Sequence, residues 1–453
     1  MNVKKMNAQE KVSYLTTEPV PRLICEMAVP TIISMLVTSF YNMADTFFVG
    51  QINTQSTAAV GVVFSVMALI QAIGFFFGHG SGNYISRKLG SMEFEEAALM
   101  AATGFFSAFL TGVVLGALGL LFLEPLSIFL GSTETILPYT MSYLRIILLG
   151  TPFMMSSLVL NNQLRFQGSA SYAMVGITAG AVLNIALDPL LIFVFNMGVA
   201  GAAAATVISQ IVSFLILLRA SSRGGNFQIK FRNFKPTKER MYMIFKGGVP
   251  SLCRQGLGSI ATICLNTAAG NFGGAYADAA IAAMGIVSRV SMFANSALIG
   301  FGQGFQPVCG TNYGAKKYGR VREAFWFCVK VAVVFLVIVS ILGFVFAEPI
   351  VEIFRKDPDV VRIGTLSLRL QCVVFPLNAW IVMCNMCLQT IGKSVKASIV
   401  AASRQGLFFL PLIYILPRMF GLFGVQMCQM VSDICTFLLA LPIGLSVMKE
   451  LKD

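Results

Sequence analysis

The chain alternates between long apolar runs and short polar connectors. A hydrocarbon layer about 30 Å thick takes about 20 residues of helix to cross. Twelve runs meet that length, near 24–50, 57–81, 97–122, 136–160, 170–194, 200–218, 241–270, 278–305, 323–346, 361–386, 398–416 and 424–447. The few polar residues inside these runs fall at helical spacing. In the first run Ser34, Thr38, Tyr41 and Asp45 sit at i, i+4, i+7 and i+11, on one face of a helix. In the fifth, Asn184 and Asp188 lie one turn apart, and Gly176 and Gly180 have the four-residue spacing that lets a second helix come close. In the sixth, Thr206 and Gln210 stack, with Ser209 alongside. The pattern predicts an all-α polytopic membrane protein of twelve transmembrane helices.

The connectors fix its orientation. Loops holding Arg87-Lys88, Arg165, Arg219 to Arg240, Lys316 to Arg322 and Lys393-Lys396 alternate with loops almost free of basic residues, such as "GQINTQST"; Arg355-Lys356 and Arg418 are the exceptions. Basic loops stay in the cytoplasm. Both termini are therefore expected there, 1–22 with Lys4, Lys5, Lys11 and Arg22, and 448–453. Composition agrees. Charged residues are 12% of the chain, against about 25% in a soluble domain. The net charge of +13 follows from the basic loops and calls for no nucleic acid. The ten cysteines lie mostly in apolar runs, as small buried hydrophobes rather than a disulfide framework. "CNMC", 384–387, has metal-like spacing but no partner pair. No cleavable leader is expected.

The longest basic loop, 219–240, divides the chain into halves that repeat each other. "FGHGSGNYISRKLG", 77–90, aligns with "FGQGFQPVCGTNYG", 301–314, at an offset of 224. The same offset pairs Glu124-Pro125 with Glu348-Pro349, Leu144-Arg145 with Leu368-Arg369, Pro152 with Pro376, Asn161 with Asn385 and Gly168 with Gly392, while Pro30 pairs with Pro250 at 220. Six spans per half is an even number, so both halves enter the membrane in the same sense, as a parallel repeat about an axis along the membrane normal. The expected lobes are 23–218 and 241–447.

A carboxylate in mid-bilayer costs about 3 kcal/mol on insertion scales, so Asp45 and Asp188 mark a polar pocket in the first half. Either could instead be a helix-packing residue bonded to a neighbour. The second half offers no matching acid, because Asp278 and Asp433 sit near predicted span ends. Pro30 and Pro189 remove backbone donors and kink their helices, either as static packing or to free carbonyls for a cation. His79, the only histidine, is placed at the end of the second span and reads as structural, since Gln303 replaces it in the repeat. Arg145 and Arg369 read as interfacial.

"MAVPTIISMLVTSFYNMADTFFVG", "LNIALDPLLIF" and "GVAGAAAATVISQ" resemble the MATE (multidrug and toxic compound extrusion) family over essentially the whole chain, and within it the DinF-like and MepA-like branch. The resemblance implies two six-helix lobes working by alternating access. It implies an N-lobe proton or cation site at Asp45, Asn184, Asp188 and Thr206, a metal site only if the ion is Na⁺. It places Tyr41, Thr38 and Asn161 along the substrate cavity and a gating bend at Pro30. The expected activity is secondary-active antiport in a prokaryotic plasma membrane. Bulky cationic or amphipathic drugs would leave as H⁺ or Na⁺ enters, with no tightly bound cofactor and the protein a monomer. A lipid-linked oligosaccharide flippase is the alternative, with Arg254 and Arg289 as its candidate phosphate ligands; a channel or receptor fits the asymmetric acids less well. No nucleotide loop, metal cluster or nucleophile–base set points to an enzyme.

Overall fold

The computed structural model describes residues 6–451, and each of the twelve apolar runs is helical within it. Lys4, Lys5 and the last two residues of the C-terminal segment lie outside the described residues. A short helix, α1 (Ala8–Thr17), comes first. The N-terminal half continues with α2 (Val20–Gly50), α3 (Thr54–Gly90), α4 (Phe94–Leu121), a short α5 (Leu123–Phe129), α6 (Leu137–Phe166), α7 (Ala170–Pro189) and α8 (Val199–Ser221). The C-terminal half holds α9 (Lys238–Phe272), α10 (Ala277–Gly314), α11 (Tyr318–Val345), a short α12 (Ala347–Phe354), α13 (Pro358–Thr390), α14 (Ser394–Ala402), α15 (Phe409–Phe420) and α16 (Leu422–Glu450). Eleven spans, with α14 and α15 counted as one, are long and apolar enough to cross a membrane. The twelfth long helix, α9, is diluted by Lys246, Arg254, Gln255, Asn266 and Asn271. No strand occurs among the described residues.

The internal repeat is visible in local structure. Glu124-Pro125 and Glu348-Pro349 sit in the first turns of the short helices α5 and α12. Gly168 and Gly392 follow the ends of α6 and α13 with φ of +75° and +88°, the left-handed cap that favours glycine. Asn161 Nδ2 donates to Ala173 O at 3.3 Å, and Asn385 Nδ2 donates to Ala397 O at 2.7 Å. A π turn occurs in each half, at Leu190–Val194 directly after Pro189 and at Ser403–Leu407 between α14 and α15. The paired glycines of α7 perform as spaced: a Cβ on Gly176 would meet Leu217, and one on Gly180 would meet Ser213, both on α8.

The halves form two lobes that meet along α3 against α9 and α2 against α10. Glycines make this seam tight. Gly80 abuts the Ile244 carbonyl, Gly90 the Thr311 carbonyl and Gly304 the backbone of Ala28. The polar and aromatic contacts between lobes gather on the side that carries both termini, the outermost being the Ser39–Ser296 hydrogen bond at 3.0 Å and the Phe40–Phe293 ring contact at 5.8 Å. Toward the opposite side, Gly50, Gly61, Gly256, Gly258 and Gly285 have open space where a Cβ would stand. The lobes are thus closed together on the terminal side.

Helix α1 straps that closed side. Lys11 Nζ donates to Ser169 Oγ and to Asn226 Oδ1, each at 2.6 Å, on the N-lobe and the inter-lobe loop. The C-lobe donates back: Asn312 Nδ2 to Leu15 O at 3.0 Å, Lys317 Nζ to Thr16 O at 2.9 Å and Arg320 Nη2 to Glu18 O at 2.6 Å.

Three placements differ from the sequence reading. Helix α3 continues to Gly90, so His79 lies within the helix, fully buried, rather than at a span end. Arg87 and Arg165 belong to α3 and α6 rather than to loops, because seam packing prolongs these helices beyond the apolar run; Arg87 Nη1 donates across the seam to Thr390 O at 2.5 Å. Asp433 sits inside α16, 2% exposed, and is no span-end residue.

Candidate functional site

Helices α2, α6, α7 and α8 bring the predicted polar residues of the N-lobe into one pocket. Helix α7 presents Asn184 and Asp188 from one face, 2% and 0% exposed. Asn184 Nδ2 reaches Thr206 Oγ1 on α8 at 3.5 Å, and Thr206 returns its own proton to Ala202 O at 3.1 Å. Asp45 on α2 lies within electrostatic range of Asp188. Tyr41, one turn earlier on α2, lies in range of Asp45. The pocket is short of donors. Both carboxylate oxygens of Asp188, Oδ1 of Asp45, Oδ1 of Asn184 and Oγ of Ser209 are buried without a hydrogen-bond partner. Buried polar oxygens are nearly always satisfied. A cluster of unsatisfied ones is an acceptor set for a proton or a hard cation, which prefers oxygen ligands. The residues named for the ion therefore fit it by chemistry.

Tyr143 on α6 belongs to the same pocket and was not singled out in the sequence. It is fully buried, its hydroxyl donates to Met67 Sδ at 3.9 Å, and Thr206, Asp45 and Asp188 all lie within its electrostatic reach. A tyrosine in an apolar run carries no signal by itself.

The other expected cavity residues use their polar groups locally. Thr38 Oγ1 donates to Ser34 O at 2.8 Å. Asn161 holds α7 through Ala173, the bond that Asn385 repeats in the C-lobe. Pro30 has no N–H to give the Glu26 carbonyl one turn earlier, which interrupts the α2 ladder there; one turn later Ser34 Oγ donates to Pro30 O at 2.9 Å.

The C-lobe holds a buried acid that the sequence reading placed near a span end. Asp433 is paired with Arg404 (Nε–Oδ1 2.8 Å, Nη2–Oδ2 3.3 Å) and accepts from Gln429 at 2.7 Å and Asn378 at 3.4 Å. Arg404 lies in the π turn, in mid-run, so the pairing of two distant polar residues was not legible from spacing. The contrast with the N-lobe is one of satisfaction: Asp433 has a cationic partner, and Asp188 has none. Of the arginines considered for a phosphate group, Arg289 is exposed on α10, while Arg254 is half-buried on α9, bonds Asn385 of its own lobe and lies within electrostatic range of Arg165 of the other.

Comparison with known proteins places this arrangement. The MatE family model matches the chain twice, over residues 30–190 and 256–415, one copy per lobe. The chain is 28% identical over 432 residues to the multidrug export protein MepA of Staphylococcus haemolyticus (strain JCSC1435), covering 95% of this chain and 94% of that protein. Among solved structures it is similar to the outward-facing conformation of a multidrug resistance MATE family transporter of the MOP superfamily, with TM-score 0.90, 26% identity and coverage of 97% and 98%. It is equally similar to a MOP superfamily transporter from Pyrococcus furiosus described as having a binding pocket of reverse polarity, with TM-score 0.91, 25% identity and coverage of 99% and 100%.

Proposed function

This chain belongs to the MatE family of membrane transporters, and from that premise we propose that it exports bulky cationic or amphipathic drugs by alternating access in exchange for H⁺ or Na⁺ bound in the N-lobe. The observation that carries the reading is Asp188. A fully buried carboxylate with no donor on either oxygen is unstable as an anion unless something positive joins it. A proton, a sodium ion or the cationic centre of a drug can each do so. Since all three draw on the same oxygens of Asp188, Asp45 and Asn184, they compete, and competition for one pocket is what obligatory exchange requires.

The lobes supply the gate. If the basic terminal side faces the cytoplasm, as positive loops favour, the closed seam faces inward and the polar pocket opens outward. The likeness to an outward-facing transporter supports the same assignment. The ion then enters from outside and displaces the drug. Pro30 is the point in α2 where the ladder is already interrupted, so bending there couples the occupation of Asp45 to the seam. The protein works as a monomer in a prokaryotic plasma membrane with both termini inside.

Transport in proteoliposomes tests the proposal. A proton gradient alone, then a sodium gradient alone, is imposed and efflux of a fluorescent organic cation is followed. One of the two gradients is expected to drive efflux in the wild type and in neither case in Asp188→Asn. Efflux that ignores both gradients rules out ion-coupled exchange.

A further inference from the structure

Two arginines from opposite lobes lie within electrostatic range of each other at the seam, and among the described residues no carboxylate pairs with either. Arg165, in the last turn of α6, is 1% exposed. Its Nη2 donates to Asn162 Oδ1 at 2.6 Å and faces His79 Nε2 at 3.2 Å, while its Nε–H is buried with no partner. From the C-lobe, Arg254 on α9, half-buried, donates Nη1 to Asn385 Oδ1 at 3.1 Å. It lies within electrostatic range of both Arg165 and His79. A guanidinium can only donate, so His79 Nε2 is an acceptor and the imidazole is neutral. Its proton is on Nδ1, the nitrogen that faces Ser251 Oγ at 3.1 Å. Gln389 Nε2 donates to the same Ser251 hydroxyl at 2.7 Å. Every acceptor the arginines have is therefore neutral, and neither takes part in a salt bridge among the described residues.

Buried charges in proteins are paired, because taking an ion out of water costs several kcal/mol even after relaxation. Arginine does not escape by losing its proton. The contrast with the half-buried Arg404, which has Asp433, shows how this fold treats a guanidinium withdrawn from water when a carboxylate is available. Two like charges facing each other across a closed interface also push it open. We propose that a small anion, of halide or carboxylate size, binds between Arg165 and Arg254 and holds the lobes together on the terminal side. One arginine travels with each lobe, so separating the lobes dismantles the site, and anion occupancy and closure favour each other. The shared chemistry is a single negative charge with lone pairs for guanidinium N–H groups. It could be supplied by free chloride or by a carboxylate on the transported compound. The site itself does not depend on what is exported; only the second source rests on the transporter reading.

The test uses the purified full-length protein in detergent with a bulky sulfonate buffer as the only anion. Chloride, bromide and acetate are titrated in and the melting temperature is followed. A saturable rise is expected in the wild type and in Arg145→Gln, an exposed arginine outside the site, and no rise in the Arg165→Gln/Arg254→Gln double variant. In the sulfonate buffer alone, Arg254→Gln is expected to melt above the wild type, since it removes an uncompensated charge; a merely structural arginine would lose stability instead. A melting temperature indifferent to the anion in the wild type, or one rising equally in the double variant, overturns the site. A second arm compares two fluorescent amphiphiles that differ only as carboxylic acid and methyl ester. If the compound supplies the anion, the acid binds about tenfold tighter than the ester without chloride, the low end for hydrogen bonds to charged groups, and chloride competes with it. If chloride is the ligand, acid and ester bind alike.

Discussion

Thr31 of α2 donates its hydroxyl proton to the Gly300 carbonyl of α10 across the lobe seam at 2.6 Å. The same hydroxyl lies near Ala28 O at 2.9 Å and Met27 O at 3.1 Å, so the inter-lobe acceptor is the shortest of three. Gly300 is glycine because a Cβ there would come 2.7 Å from Ile32 Cα. Bond and close approach sit beside Pro30, which ties the bend of α2 to closure of the lobes. Gly300→Val is expected to prevent that closure. Overpacking of this kind costs about 1–3 kcal/mol, enough to shift a balanced equilibrium by an order of magnitude. Spin labels at Ser91→Cys and Arg322→Cys, one on each lobe at the terminal side, should move apart, and efflux should fall. Unchanged distances would show that the seam tolerates a side chain there.

The N-lobe pocket makes a sharper demand. Asp188→Asn keeps the volume and adds a donor where several oxygens lack one. The protein is expected to fold and insert normally, with stability equal to or above the wild type, while ion-driven efflux is abolished. Asp45→Asn should give the same loss. Efflux at wild-type rates from either variant, at matched expression, removes that carboxylate from the coupling site. Thr206→Val is expected to weaken efflux without abolishing it, because it takes one hydroxyl from a pocket that Tyr143 also serves.

How much of this was legible depends on how local the signal is. Asp45, Asn184, Asp188 and Thr206 stood out because a polar group in an apolar run is costly and helical spacing puts it on a face. Gly168 and Gly392, or Asn161 and Asn385, stood out because the chain states them twice. The Arg165–His79–Arg254 cluster was hidden. Its members come from three helices on two lobes, and Arg165 read as one more basic loop residue. Tyr143 was hidden by its own apolarity. The strap α1 was hidden because its contacts are made to loops and helix ends far away in the chain, and its periodicity alone does not say what covers it.

The C-lobe ion pair predicts a thermodynamic cycle. Arg404→Gln leaves Asp433 buried without its cation, and breaking a buried pair from one side costs about 3–5 kcal/mol. Arg404→Gln/Asp433→Asn removes both charges and should recover most of the loss, because Gln429 and Asn378 still bond the amide. Melting temperatures of the single and double variants check this. Additive losses would mean that the two residues act independently. Efflux in the double variant should stay coupled to the ion, since the proposed site lies in the other lobe.

Topology is tested by cysteine labelling on a Cys-free background, and the structure chooses the positions. Gly225 is unsuitable, because its φ is +65° and a Cβ would collide with Met6. Asn53 is unsuitable because it caps α3 through Ser56 N at 2.7 Å. Arg232→Cys in the inter-lobe loop and Gln51→Cys between α2 and α3 are both exposed. An impermeant reagent added outside cells should label position 51 and spare position 232. The reverse result would turn the protein over in the membrane and make the closed seam the outer gate.

The last prediction concerns the strap. Lys11 is 3% exposed and holds Ser169 and Asn226, both neutral. Burial with no carboxylate partner pushes its amine from the ordinary 10.5 down to about 7. When α1 is undocked and solvated, the amine binds its proton more tightly than when docked. Docking is therefore opposed most strongly below about pH 7, where the docked amine must be held charged. The opposition fades as pH rises from there toward the ordinary value, because over that window the undocked state binds the extra proton and the stability of docking climbs with pH. Because α1 grips the N-lobe through Lys11 and the C-lobe through the carbonyls of Leu15, Thr16 and Glu18, weaker docking loosens the closed side. Amide hydrogen exchange of residues 8–17, corrected for the intrinsic pH dependence, should show protection rising between pH 7 and pH 9. Lys11→Met keeps the aliphatic stem, removes the charge and should make protection independent of pH over that range. If wild type and Lys11→Met share the same pH profile, the amine is not what the strap responds to.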